Sequence, residues 1–533
     1  SASEIELRLA ALTSPKTLGG LDCACELLAS AIEEDQPILI AGDYDCDGAT
    51  GVAVAVRGLR LLGARRLDYV VPDRFVHGYG LSPALIDSLA ATPALIVTVD
   101  NGIASIAGVA AAKARGIRVL ITDHHLPGET LPAADAIVNP RVRGEGLGNL
   151  AGVGVMFYLL LALRARLRQA GAYQLRPEPE LAALLDLVAL GTVADLVPLD
   201  HNNRILVEAG LRRIRGGRAS AGLAALINAA GRHAASLTST DIAFAVAPRV
   251  NAAGRLENMA LGIECLLSDD AAHAGELAAI LSTINSERRG LQASMLADAE
   301  TALAHTNRDH RTGVVLFDAA WHAGVVGLVA SKVKERLHRP VIAFAPANEG
   351  SAALRGSARS IPGFHIRDAL ATIDAAEPGL ITRFGGHAMA AGLELPAASL
   401  ARFAARFDQV ARQGIAPEAL APVLWSDGEL APADFNLDLA RLLRHAAPWG
   451  QGFPSPLFDN VFECVLQRPM GQGHRRLALR DPRDGHVHEA VMFNVEDDLP
   501  MQRPLRIAYE LTVNDWQGRE TPRLLLRHVD ETL

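Results

Sequence analysis

Cysteine is scarce in this chain: Cys23, Cys25, Cys46, Cys265 and Cys464 are scattered over 533 positions without paired spacing. That excludes a disulfide framework and a zinc ribbon, and it fits a reducing cytoplasm. Long apolar runs are missing too. The longest, residues 150–163, falls short of the roughly 20 residues a membrane-spanning helix needs and is predicted to be a buried helix, so no membrane partner is expected. No signal sequence opens the chain, which begins Ser1-Ala2 and is expected to be shortened at its N-terminus. Nor is there a surplus of positive charge. With 51 Lys and Arg against 60 Asp and Glu the net charge is −9, which argues against an extended duplex-binding surface but leaves room for a local basic groove. What the chain has is core: a hydrophobic content of 50% specifies a folded globular protein, too long for a single domain.

The stretch that organises the chain is Ile38-Leu-Ile-Ala-Gly-Asp43-Tyr-Asp45-Cys-Asp47-Gly48. Residues 38–41 are apolar and bounded by Pro37 and Gly42, the pattern of a buried strand in a parallel sheet. Asp43, Asp45 and Asp47 leave its carboxyl end, where open α/β sheets place their ligands. Three like charges so close repel unless cations lie between them, and oxygen ligands of this kind suit Mg²⁺ or Mn²⁺. A single Asp-Gly pair would be read as a polar turn before a helix starting near Thr50; the threefold repeat behind a buried strand favours a metal.

The pattern then recurs. Strands predicted over 67–71, 94–99 and 118–121 alternate with helices over 52–62 and 104–115, which specifies a doubly wound parallel sheet. The third strand ends Asp100-Asn101-Gly102 and the fourth Asp123-His124-His125. Imidazole among carboxylates favours Mn²⁺ over a pure oxygen cage. Asp195, in the apolar segment Gly191-Thr-Val-Ala-Asp195-Leu-Val-Pro198, is costly to bury unless paired or metal-bound, and is the candidate for the last ligand. In the loop over 72–80, Arg74 is a candidate phosphate contact, although a loop arginine is as readily a solvated charge.

In order, Asp43-Tyr-Asp45-Cys-Asp47-Gly, Val97-Thr-Val-Asp100-Asn-Gly, Asp123-His124-His125 and Gly191-Thr-Val-Ala-Asp195 resemble the motifs of the DHH phosphoesterase superfamily. A long helical stretch over 269–304 reads as a connector between lobes. Beyond it, Trp321-His322-Ala-Gly324-Val-Val-Gly327, Ser357-Ala-Arg359-Ser360 and Phe384-Gly385-Gly386-His387 look like the DHHA1 domain. Past residue 421, short alternating runs between Gly, Pro and Asp turns suggest a small β barrel. His474, Arg475, Arg476, Arg480, Phe493 and Trp516 would supply charge and stacking surface for single strands, the aromatics serving equally well as core. The expected fold is α/β: a parallel-sheet DHH lobe over 1–215, a helical region with the connector over 216–305, a DHHA1 lobe over 306–415, and an OB-like β barrel over 420–533.

The resemblance implies hydrolysis of single-stranded DNA from a 5′ end, releasing 5′-mononucleotides in DNA recombination and repair. Two divalent ions, Mn²⁺ or Mg²⁺, are implied as cofactors. Asp43, Asp45, Asp47, Asp100, His124 and Asp195 are the implied ligands, with Asp100 bridging and Asp43 either a ligand or an orienting neighbour. His125 is implied beside the scissile phosphate, with Asp123 orienting the histidines, and Asp100, Asp123 and His125 form the implied catalytic set. Arg74, Arg249, Asn251, Arg255, Ser357, Arg359, Ser360, Gly386 and His387 are the implied DNA contacts. A monomer in the bacterial cytoplasm, working beside a single-strand-binding protein and a helicase, completes the expectation. Two other readings stay open: a DHH enzyme acting on very short RNA or cyclic dinucleotides, and a single-strand-binding protein with a dead catalytic lobe. Retention of every acidic and histidine ligand speaks against the second.

Overall fold

Five parallel strands, β1 (Ile38–Ala41), β2 (Leu67–Val70), β3 (Leu95–Val99), β4 (Arg118–Thr122) and β5 (Ala136–Val138), form the first sheet in the order β2-β1-β3-β4-β5. They belong to a computed structural model that describes residues 6–73, 76–144, 146–305, 311–348, 350–471, 473–495 and 498–530. Every residue of β1 and β3 is buried, as in a parallel strand covered on both faces. Side chains alternate accordingly: Ile38, Ile40 and Val97 enter one core, Leu39, Ala41 and Ile96 the other. The strand order reverses between β1 and β3. That switch point is where a doubly wound sheet opens a crevice at its carboxyl edge.

The helices α1 (Leu21–Glu33), α2 (Cys46–Leu62), α3 (Pro83–Asp87) and α4 (Ile106–Ala114) punctuate the strands. After them come α5 (Gly152–Gln169), α6 (Leu185–Ala194), α7 (His201–Arg215) and α8 (Ala221–Ala229). Helix α2 starts earlier than the expected position near Thr50, because Asp45 caps it: its Oδ1 accepts the Gly48 N–H at 3.0 Å. Asp47 therefore sits in the first turn of a helix and not in a free loop. The apolar run around residue 155 is the buried helix expected, α5, and no helix among the described residues is long and apolar enough to cross a membrane.

A single turn, α9 (Ser239–Asp241), leads into a π-helical turn over Ile242–Val246 and then α10 (Ala247–Leu256). Pro248 explains the widening: it has no N–H to donate, and its ring would collide with the carbonyl four residues back. Helices α11 (Ala260–Leu267) and α12 (Ala271–His305) follow, the latter being the long connector expected.

The chain divides into two compact units, one over 1–254, 258–282 and 425–533, the other over 255–257 and 283–424. In the second unit, β6 (Val314–Phe317), α13 (Val326–Leu337), β7 (Val341–Pro346), β8 (Ala353–Arg359), α14 (Ile366–Ala376), β9 (Arg383–Gly386), β10 (Ala390–Pro396) and α15 (Leu400–Gly414) build a mixed sheet. Its order is β6-β7-β8-β10-β9, over a core containing Phe344, Phe403 and Phe407.

The first unit also contains α16 (Leu437–His445) and the strands β11 (Phe458–Pro469), β12 (His474–Arg480), β13 (Val487–Phe493), β14 (Pro504–Trp516) and β15 (Arg519–Asp530). These close into a barrel in the order β11-β12-β13-β15-β14 around Phe462, Leu479, Ile507 and Tyr509. The segment between α16 and β11 ties the barrel down. Trp449 stacks on Phe453 with ring centroids 5.1 Å apart, the Arg204 guanidinium lies 4.0 Å from the Phe453 centroid, and Leu199 donates its N–H to the Gln451 carbonyl at 2.7 Å.

Candidate metal centre

The carboxyl ends of β1, β3 and β4 deliver Asp43, Asp100 and Asp123 to one edge of the sheet, on both sides of the switch point. Asp45 and Asp47 follow on α2, His124 and His125 follow β4, and Asp195 caps the carboxyl end of α6. The ligand atoms of three groups lie within 4.8 Å of one another: Asp43, Asp45 and Asp100; Asp47, His124 and Asp195; Asp100, His124 and His125. All six residues expected as ligands are thereby brought together.

Each is held from its own side. Asp47 is buried, and its carboxylate accepts the backbone N–H groups of Gly152 at 2.6 Å and Val153 at 2.9 Å, donors of the first turn of α5 that have no partner within the helix. Gly152 is required there, since a Cβ would come within 2.8 Å of Asp100 Oδ1. Asp100 adopts φ +63°, a left-handed conformation unusual for a residue with a side chain, which turns the chain sharply at the end of β3. Asn101 fixes that turn by donating Nδ2 to the carbonyls of Ala41 and Val99, bridging the ends of β1 and β3.

His124 Nε2 stands 3.0 Å from Asp100 Oδ1, 3.5 Å from Asp195 Oδ2 and 3.9 Å from Asp47 Oδ2. Yet Asp100 Oδ1, His124 Nε2 and Asp195 Oδ2 are buried without making a hydrogen bond. Such atoms are expensive unless something satisfies them. Three of them converging, two carboxylate oxygens and one imidazole nitrogen, fit a divalent cation of the Mn²⁺ or Mg²⁺ type.

The electrostatics agree. Burial, with the charge of Asp45, pushes Asp47 up to about 7 against the helix-terminal N–H groups. Burial and then Asp47 push Asp100 and Asp195 well above the ordinary carboxylate range. Burial, followed by the neighbouring His125, pulls His124 down to about 3, so its imidazole is neutral and its lone pair available. His125 goes the other way: burial lowers it, but the hydrogen bond and charge of Asp123, with Asp43 and Asp45, raise it to about 9.

Sequence reading missed Asn101, Asn139, which donates Nδ2 to the His125 carbonyl at 2.9 Å, and Tyr79, whose hydroxyl lies 3.3 Å from His125 Nε2. The Asp-Asn-Gly triplet was the only local signal for any of them. Of the expected DNA contacts, Arg74 lies outside the described residues. Arg249 turns its guanidinium to Ser282 Oγ at 2.9 Å and to the carbonyls of Ala229 and Ala245, and Asn251 Oδ1 accepts the Cys46 N–H.

In the second unit, Arg255 donates to the Gly324 carbonyl. Arg359 is held by Ser331 Oγ at 3.2 Å and Ser357 Oγ at 3.3 Å beside the start of α13, where Gly327 leaves the space that a Cβ would fill against Ser357. Burial lowers the Arg359 pKa, the mark of a cation kept from water. Ser360 Oγ is committed to the Phe364 carbonyl at 2.6 Å, and Gly386 and His387 lie at the β9–β10 turn. On the barrel, Arg475, Arg476 and Arg480 pair with Asp498, Glu489 and Glu463, and Phe493 is exposed against His474; the Trp516 side chain lies outside the described residues.

Known proteins share this architecture. Residues 37–192 match the DHH family, N-terminal domain, residues 310–413 the DHHA1 domain, and residues 426–528 the RecJ OB domain. The single-stranded-DNA-specific exonuclease RecJ of Dickeya dadantii is 47% identical over 99% of this chain and 93% of its own length; that of Escherichia coli K12 is 45% identical with the same coverage. The crystal structure of RecJ in complex with Mn²⁺ from Thermus thermophilus superposes with a TM-score of 0.81 at 32% identity, covering 97% of this chain and 72% of that one. With identity sustained along nearly the whole sequence and all three domains present in order, the chain belongs to the RecJ family of single-stranded-DNA-specific exonucleases.

Proposed function

We propose that this chain is a metal-dependent exonuclease that hydrolyses single-stranded DNA from the 5′ end and releases 5′-mononucleotides. The observation that carries the reading is the convergence of Asp100 Oδ1, His124 Nε2 and Asp195 Oδ2, buried and without hydrogen bonds, among Asp43, Asp45 and Asp47. Two divalent cations held by these residues supply Lewis acidity and lower the pKa of water enough to make it a nucleophile near neutral pH.

The chain's own groups do the rest. Asp100 and His124 each belong to two of the three ligand groups, and of the two only Asp100 has a pair of carboxylate oxygens with which it would serve two ions. His125, protonated up to about pH 9, offers a positive charge and a proton to the phosphate or the departing 3′ oxygen. Asp123 holds both histidines in place, and Tyr79 braces the imidazole of His125 from its other side.

Arg359, with Ser357, is suited to a terminal phosphate: a largely desolvated guanidinium beside a helix N-terminus. Arg74, Arg249, Arg255, Ser360, Gly386 and His387 complete the set proposed to follow the strand. The barrel is proposed to hold the strand beyond the reacting end. We place the enzyme in the bacterial cytoplasm as a monomer working with a single-strand-binding protein and a helicase in recombination and repair. Five unpaired cysteines suit that compartment.

Digestion of 5′-labelled single-stranded DNA in Mn²⁺, with Asp100→Ala as control, tests the reading. Labelled mononucleotides from the wild type alone support it. Activity confined to dinucleotides would instead favour an enzyme of very short substrates, and no cleavage would leave a binding protein.

A further inference from the structure

The loop that carries Asp43, Asp45 and Asp47 is held by a helix some two hundred residues away. Cys46 donates its backbone N–H to Asn251 Oδ1 at 2.9 Å. On the same helix, α10, Gly254 packs against Tyr44 so closely that a Cβ would collide with the Tyr44 carbonyl. Both contacts fall on the backbone between the metal-binding carboxylates: Tyr44 lies between Asp43 and Asp45, and Cys46 between Asp45 and Asp47.

Helix α10 reaches this register because of the π turn before it. In an uninterrupted α-helix each residue advances about 100°, so a one-residue change of register would aim Asn251 away from the loop. Pro248 enforces the widened turn, and Arg249 pins it by donating to the Ala245 carbonyl within it and to Ala229 and Ser282 outside it. A helix that breaks its own hydrogen-bond ladder and then spends an arginine to hold the break is built for a particular aim.

We propose that Asn251 and Gly254 are positioning residues of the metal centre: α10 sets the spacing of Asp45 and Asp47 by fixing the backbone at Tyr44 and Cys46, and Asn251 does this through its acceptor oxygen. The inference rests on the metal reading above. It assigns Asn251 a different role from a phosphate contact, which would use the Nδ2 donor.

The two roles separate by atom. Asn251→Asp keeps an acceptor for Cys46 and loses the donor; Asn251→Ala loses both. Mn²⁺ alone, titrated calorimetrically into the metal-free full-length chain, reads the centre without DNA or turnover. Asn251→Ala is expected to weaken Mn²⁺ binding by about 10-fold, and Asn251→Asp to bind at least as tightly as the wild type. At saturating Mn²⁺, Asn251→Asp should retain kcat on 5′-labelled single-stranded DNA better than Asn251→Ala does. Gly254→Ala, which leaves Asn251 intact but displaces the Tyr44 carbonyl, is an independent arm expected to weaken Mn²⁺ as well. Wild-type Mn²⁺ affinity in Asn251→Ala, or an Asn251→Asp variant as weak as Asn251→Ala, overturns the inference. A wild-type chain that takes up no Mn²⁺ overturns instead the reading of the centre itself.

Discussion

Nδ1 of His125 lies 2.7 Å from Oδ1 of Asp123, and the same carboxylate accepts the backbone N–H groups of His124, His125 and Ile103. One buried side chain thus orients both histidines, His125 directly and His124 through its backbone. Burial alone would raise Asp123, but its bonds to His125 and Ile103 hold it below the ordinary carboxylate range. The pair shares a proton that His125 keeps to about pH 9.

Asp123→Asn removes the charge while keeping the shape. The pKa of His125 should then fall back toward the ordinary histidine value of about 6.5, and activity should drop by roughly 10- to 100-fold, as when other groups that orient a metal-site histidine are lost. Because the protonated form of His125 is the useful one, the alkaline fall in kcat, expected near pH 9 in the wild type, should move to lower pH in the variant. A pH–rate profile on 5′-labelled single-stranded DNA at saturating Mn²⁺ measures the shift, and an unchanged alkaline limb would remove His125 from the proposed chemistry.

Metal and protons compete for the same carboxylates, which fixes the sign of a stability experiment. Asp47, raised from 3.8 to about 7, contributes stability that is full below the lower value and lost as pH rises through the higher one. His125, raised from 6.5 to about 9, loses its contribution over the higher window in the same sense. His124, lowered from 6.5 to about 3, acts oppositely, but only below pH 6.5. Above pH 6.5 His124 no longer opposes them, so Asp47 up to about pH 7 and His125 onward to about pH 9 should make the metal-free chain melt at progressively lower temperature. Saturating Mn²⁺ should raise the Tm more at the alkaline end than at the acid end, because fewer protons must be displaced. A Tm increment from Mn²⁺ that is constant across this range would refute the assignment of these carboxylates as ligands.

Asp100 combines a buried charge with φ +63°. Asparagine tolerates that conformation at least as well and carries no charge. In the absence of metal, Asp100→Asn should therefore be more stable than the wild type, by about 0.5–2 kcal/mol, while its exonuclease activity falls to background. Denaturant unfolding with chelator present measures the first effect. A less stable variant would show that Asp100 is held by the protein scaffold and not by a cation.

What could be read from sequence, and what could not, follows the range of the interactions. Strand ends such as Val97-Thr-Val-Asp100 and Asp123-His124-His125 announce themselves locally, since a buried parallel strand is a short apolar run and its ligands leave the same end. The barrel was legible from alternation. The start of α2 was misplaced because Asp45, read as a loop ligand, is also the cap. Strand β5, only three residues long, carries too little pattern to register. Asn101 was passed over because its partner, Ala41, lies on another strand, and nothing near Asn251 hints that its side chain meets Cys46. Ser331, which holds Arg359, sits in an ordinary helical stretch where a serine signals nothing.

The barrel's attachment can be tested separately from its binding role. Arg204 is buried, donates to the Leu199 carbonyl at 2.9 Å, and lies over the Phe453 ring, itself stacked on Trp449. A cation over a ring out of water contributes about 2 kcal/mol, so Phe453→Leu, which keeps apolar bulk but removes the ring, should destabilise the full chain by about that amount. Phe453→Tyr should cost much less, since it keeps the aromatic face. Salt should change the difference little, because the pair is shielded from solvent. Leu199, whose N–H meets the Gln451 carbonyl, follows Asp195 by a few residues, so the anchor holds the strap that leaves a proposed ligand. Equilibrium unfolding of the full chain gives the comparison, and equal stability of Phe453→Leu and wild type would mean that the barrel is attached by some other contact.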